Sequence, residues 1–98
     1  MTLPNGARAI VGIRNRGRHK ARVFASVGIR QSDAEELRTA LLAAAGYAEA
    51  RLGIANPYGQ RYIVDFDLLR DARNVKIRST WIVRIGEEVP VLTCCYVL

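Results

Sequence analysis

The sequence predicts an α+β domain: two helices packed on one face of a three- to four-stranded antiparallel sheet. Three observations lead there. Apolar residues recur at spacings of three and four in the first half. Over the last forty residues they alternate with polar ones instead. Turn-forming residues separate these segments, and no linker, repeat or low-complexity tract interrupts them. Ninety-eight residues, 50% hydrophobic and 24% charged, fit a single globular domain over 1–98.

Each element has its own signal. Ala7 to Ile13 carries Ile10, Val11 and Ile13 and reads as a short first strand or an ordered arm. A short helix is expected over about His19–Val27, where Ala21, Phe24 and Val27 (or Val23 and Val27) recur at spacings of three and four and Gly28 is placed as a C-cap. The second helix opens on Ser32 and Glu35, a capping-box pair, with Asp33 and Glu36 adding negative charge at its N-terminal end. Leu37, Leu41, Ala44, Ala45 and Ala48 then form its apolar stripe. Asn56-Pro57-Tyr58-Gly59 marks a turn.

Strands follow. Tyr62, Val64, Phe66 and Leu68 are expected inward, and after a polar turn at 70–74 so are Val75, Ile77, Ser79, Trp81, Val83 and Ile85. Gly86-Glu87-Glu88 makes the next turn, Pro90 suits only a strand start or edge, and Val91–Leu98 forms the last strand. Trp81 is expected in the core.

Composition excludes several function classes. No apolar run is long enough to cross a membrane, and the N-terminus lacks a signal-peptide core, so a cytoplasmic protein is expected. Cys94 and Cys95 are adjacent, which disfavours a mutual disulfide. A single histidine cannot supply a His-rich metal cage, and the cysteines lack C-x-x-C spacing, so neither metal nor cofactor is expected. Nucleotide-binding glycine loops, the nucleophile elbow and the zinc-protease motif are all missing.

What remains is charge. Fifteen Lys and Arg face nine Asp and Glu, a net +6, and only Lys20 and Lys76 are lysines. Arginine offers a planar fork of donors suited to phosphate, although a base-composition bias gives the same preference. Alternation puts Lys76, Arg78 and Arg84 on the solvent face of the long middle strand with Thr80, and Arg61 beside them, diluted by Asp65 and Asp67. A second basic stretch runs from Arg14 to Arg22 and includes Arg18, His19, Lys20 and Arg22. Both stretches also suit ordinary solvated surface.

If the two stretches meet, they can hold RNA, and cleavage without metal needs few further parts. His19 would move the proton, Lys20 and Arg78 would neutralise the phosphate, and Thr80, Thr93 or Tyr96 would donate hydrogen bonds. Arg18, Arg22, Arg61, Lys76, Arg84 and Tyr96 would bind the nucleic acid. Two alternatives stay open. One is a non-enzymatic basic module for nucleic acid or an acidic partner protein. The other is a small domain that dimerises through the edge at Val91–Leu98.

The stretches 19–24 (HKARVF), 34–37 (AEEL), 58–62 (YGQRY), 75–82 (VKIRSTWI) and 90–96 (PVLTCCY) resemble an uncharacterised bacterial family, a domain of unknown function. That resemblance implies a longer helical segment before His19 than this chain carries. Two helices followed by a strand meander are also similar in architecture to RelE/ParE-type toxins and the barnase–EndoU–colicin–RelE ribonucleases. This second resemblance is an analogy of fold. It implies a toxin of RNA, and a small acidic antitoxin or immunity protein as partner.

Overall fold

The computed structural model of the chain describes residues 1–11, 34–70 and 72–98. Among these, one helix, α1 (Ala34–Tyr47), precedes four strands: β1 (Ala50–Asn56), β2 (Gly59–Arg70), β3 (Arg73–Arg84) and β4 (Val91–Val97). The strands form one antiparallel sheet in the order β1-β2-β3-β4. The expected architecture of two helices on the sheet is therefore corrected to one. The helix expected over His19–Val27 lies outside the described residues. Beside α1, the N-terminal stretch covers the sheet instead: Leu3, Ala9 and Val11 are buried in the same cluster as the helix. A 3-10 turn at Gly6–Arg8 shapes that stretch, and a side chain at Gly6 would collide with the Ala45 carbonyl.

Helix α1 forms where its stripe was expected. Leu37, Leu41, Ala44 and Ala45 are buried, Ala48 packs against them just past the helix end, and Glu35 and Glu36 occupy the first turn. The alternating residues of β2 and β3 meet this stripe. Val64, Ile77, Ser79 and Trp81 are fully buried, and Tyr62, Leu68 and Val75 nearly so. Ser79 is a polar group in the core, and both its hydrogen-bonding roles are filled. Its Oγ donates to the Val64 carbonyl at 2.7 Å and accepts from Trp81 Nε1 at 2.9 Å. Ile85 departs from expectation: β3 ends at Arg84, and Ile85 is exposed.

The turns hold as their residues require. Asn56 Oδ1 accepts from the backbone N–H groups of Tyr58 and Gly59, closing a two-residue hairpin loop. At Gly59 any side chain would strike the backbone of Val83. Ala72 takes a left-handed conformation between β2 and β3, as Gly86 does between β3 and β4. Ile10, expected in a strand or arm, makes a single parallel bridge to Val91. No helix among the described residues is long and apolar enough to cross a membrane.

Two irregularities decide what the outer face of the sheet carries. Counting back from the Asn56–Gly59 pair, an unbroken ladder would set Arg51 opposite Val64, on the core face. The register shifts by one residue between Leu52 and Ala55, and Arg51 lies opposite Ile63 instead, on the outer face. Gln60 Nε2 donates to the Gly53 carbonyl across this irregularity. In β4 the pairs Trp81–Leu92 and Thr80–Cys94 leave Thr93 as the extra residue. Without it Tyr96 would point into the core. With it, Tyr96 lies opposite Arg78 on the outer face.

Candidate functional site

The outer face bears a polar row with one residue from each strand: Arg51, Asp65, Arg78 and Tyr96. Asp65 is its centre. Arg78 Nε donates to Asp65 Oδ1 at 2.8 Å and Arg78 Nη2 to Oδ2 at 2.9 Å, a two-point contact. Arg51 Nη2 donates to the same Oδ2 at 2.9 Å. Tyr96 lies opposite Arg78 in the ladder, on its other side from Asp65. The Arg78 hydrogen bond, followed by the charges of Arg78, Arg51 and Lys76, holds the Asp65 carboxyl below its ordinary value of 3.8, against a smaller opposing push from burial. Asp65 in turn raises Arg78 further above its ordinary range. The Arg78 side chain is 29% exposed.

Beside this row the two nominated threonines bond to each other. Thr80 Oγ1 and Thr93 Oγ1 are 2.7 Å apart, and Thr93 Oγ1 donates to the Thr80 carbonyl at 3.0 Å. With the Thr93 proton on the carbonyl, the Thr80 hydroxyl donates to Thr93, and both protons are used within the protein. The pair thus latches the irregularity in β4 and leaves no hydroxyl proton directed at a substrate.

The remaining basic residues of the face are mostly paired. Lys76 Nζ is 3.5 Å from Asp67, and Arg84 is 3.8 Å from Glu87. Arg61 alone among the expected sheet-face cations has no carboxylate partner among the described residues. Its neighbour in the ladder, Ile82, is 5% exposed, so this face also has an apolar centre, separate from the main core.

The sheet therefore brings Arg78, Thr80, Thr93 and Tyr96 together, with Lys76 one row further along and Arg61 and Arg84 towards the opposite end. Arg18, His19, Lys20 and Arg22 lie outside the described residues. Arg51 was not expected at the site. Only the register shift puts it there, and a straight count along the strand assigns it to the wrong face. Cys94 and Cys95 are not joined in a disulfide.

Charge along the chain is uneven. Residues 12–33 hold six basic residues and one acidic one, against nine and eight in all the rest. Five of the six net positive charges thus fall in those 22 residues. Their first flank is tied to the fold: the Val11 carbonyl accepts from Arg38 Nε at 3.4 Å, and Val11 is buried.

The family described as "Domain of unknown function (DUF6883)" matches residues 10–98, and the chain belongs to it. All the stretches quoted for the family resemblance fall within that span. No curated protein and no solved structure matches the chain.

Proposed function

We propose that this family member is a non-enzymatic binding module for single-stranded RNA, held through the arginine-rich stretch Arg14–Arg22. The observation that carries this reading is the split in charge. The sheet face spends its cations on Asp65, Asp67 and Glu87, whereas Arg14, Arg16, Arg18, Lys20 and Arg22 stand in a stretch with no acidic residue. Arginine in four of those five places favours phosphate over a carboxylate-rich protein partner, because its fork engages two oxygens at once. Arg61 and the Tyr96 ring would extend the surface onto the sheet. Cleavage of RNA would ask Arg78, Thr80 and Thr93 to serve the phosphate. Asp65 already holds two Arg78 N–H groups and neutralises its charge, and the two threonine hydroxyls bond within the protein, which favours holding over cutting.

The test is binding of a labelled RNA oligonucleotide as a function of salt, with the RNA inspected for cleavage. Each phosphate contact on a single strand contributes about −0.7 to the slope of log K against log salt, so five contacts give roughly −3.5. Replacing Arg14, Arg16 and Arg18 by alanine should reduce the slope by about 2, while Arg78→Ala should hardly change it. Absence of binding at about 50 mM salt ends the proposal. RNA cut by the wild type and spared by His19→Ala returns the ribonuclease-toxin reading.

A further inference from the structure

The two edges of the sheet are finished differently. At β4, Ile10 occupies the outer side: its N–H donates to the Pro90 carbonyl and its carbonyl accepts from the Leu92 N–H, both at 3.0 Å. This is the edge from which the sequence suggested dimerisation, and its beginning is already covered. At β1 the cover is shorter. Thr2 bridges Glu49, and the Ala50 N–H donates to the Met1 carbonyl at 2.7 Å. Beyond Ala50, β1 has no pairing partner on its outer side among the described residues. By the two-residue repeat of a strand, the Leu52 peptide groups face the same open side as those of Ala50.

The side chains of this edge are also unusual for a solvent boundary. Leu52 is 63% exposed and Ile54 73%, and no charged residue occurs from Leu52 to Gln60. Natural sheets blunt such edges with lysine, inward charges or strong bulges. Among the described residues, the device present between Leu52 and Ala55 is a one-residue irregularity.

We infer that β1 is a self-association edge, and that its occupant is β1 of a second copy of this chain, paired antiparallel about Gly53. Three features select a second copy. The contact is self-complementary: Leu52 of one chain lies beside Ile54 of the other, and Arg51 faces Ala55, so no like charges meet. Two chains of +6 repel each other, and this edge is a place for them to touch with little charge: none from Leu52 to Gln60, and Arg51 paired with Asp65 of its own chain. With Arg51 paired to Asp65 and no other charge on it, the edge offers little to attract an acidic protein or a nucleic acid. The two-fold axis of an antiparallel pair stands perpendicular to the sheet, so both helices share one side of an eight-stranded sheet. The free length, about Arg51 to Ala55, is short, and so the association is weak and exchanging. The inference rests on the edge alone and is independent of RNA binding.

Sedimentation equilibrium of the full chain over a wide concentration range tests it. The mean mass should climb from 10.9 kDa towards twice that value. Added salt should strengthen the association by screening the repulsion. Ile54→Lys and Leu52→Lys, both at exposed positions, should each abolish the rise while leaving the circular dichroism of the folded chain unchanged. Protection of the Leu52 amide from hydrogen exchange should increase with concentration in the wild type only. A mass fixed at 10.9 kDa at all concentrations, or a dimer that survives both lysine substitutions, overturns the inference.

Discussion

The two faces of the sheet are built from the same strands and held by different forces. On the inner face, Val64, Ile77 and Trp81 share one buried cluster with Leu41, and the buried hydroxyl of Ser79 is satisfied by a carbonyl and an indole. On the outer face, apart from the buried Ile82, the contacts among the described residues are ion pairs and hydroxyls in partial solvent. Burial of apolar surface is worth about 25 cal/mol per Å², whereas exposed ion pairs contribute about 0–1 kcal/mol. The inner face therefore holds the fold, and the outer face sets which groups meet.

Trp81→Ala should break the larger side of this contrast. It empties the largest fully buried side chain and takes away the donor that Ser79 Oγ accepts from. The expected cost is about 3–5 kcal/mol, which leaves a domain of this size barely folded. Urea denaturation measures it as a lower midpoint with an unchanged slope. Arg78→Ala, on the other face, should cost about 1 kcal/mol or less. A comparable loss for the two would mean that the outer network carries the fold.

That asymmetry also explains what the sequence discloses. Strict alternation over Tyr62–Leu68 and Val75–Trp81 places the inner face correctly, because burial acts on each residue separately. The stripe Leu37, Leu41, Ala44 and Ala45 does the same for α1. Strand β1 is hidden, since Ala50-Arg51-Leu52-Gly53-Ile54-Ala55 combines weak strand formers with an edge position and a register shift. The outer site depends on pairs. Arg78 looks like a free cation until Asp65 is seen one strand away, and Arg51 and Tyr96 reach the face only through the two irregularities. Composition along one strand carries no record of either. The second helix was expected on a segment that the described residues do not include, and the place beside α1 is taken by Leu3, Ala9 and Val11.

Acid should sharpen the contrast at intermediate size. Arg78, and then Arg51, keep the Asp65 carboxyl below its unfolded value of 3.8. A group with a depressed folded-state value stabilises above its unfolded value and loses that contribution as pH falls through the folded one. Asp65→Asn should thus be less stable than the wild type at neutral pH, by up to about 1 kcal/mol because the site is partly solvated. The gap should close as the pH drops below 3.8. Paired urea titrations across that range measure it, and a gap that stays constant in acid would show that the carboxylate charge plays no part.

The smallest effect is expected at the β4 irregularity, and it bears on how the outer face is set. Thr93→Val keeps the shape and the branching of the side chain and removes the hydroxyl that donates to the Thr80 carbonyl and meets Thr80 Oγ1. Water can reach the groups left behind, because Thr93 is exposed. The loss should be about 0.5–1.5 kcal/mol, the net worth of an ordinary hydrogen bond. Thr80→Val should cost about the same, and the double variant less than the two together, since one shared contact is counted twice in the singles. Strict additivity would mean the hydroxyls act separately and the register of β4 is fixed by Leu92, Cys95 and Val97 packing on the core. Coupling would assign to the threonine pair the job of turning Tyr96 towards Arg78.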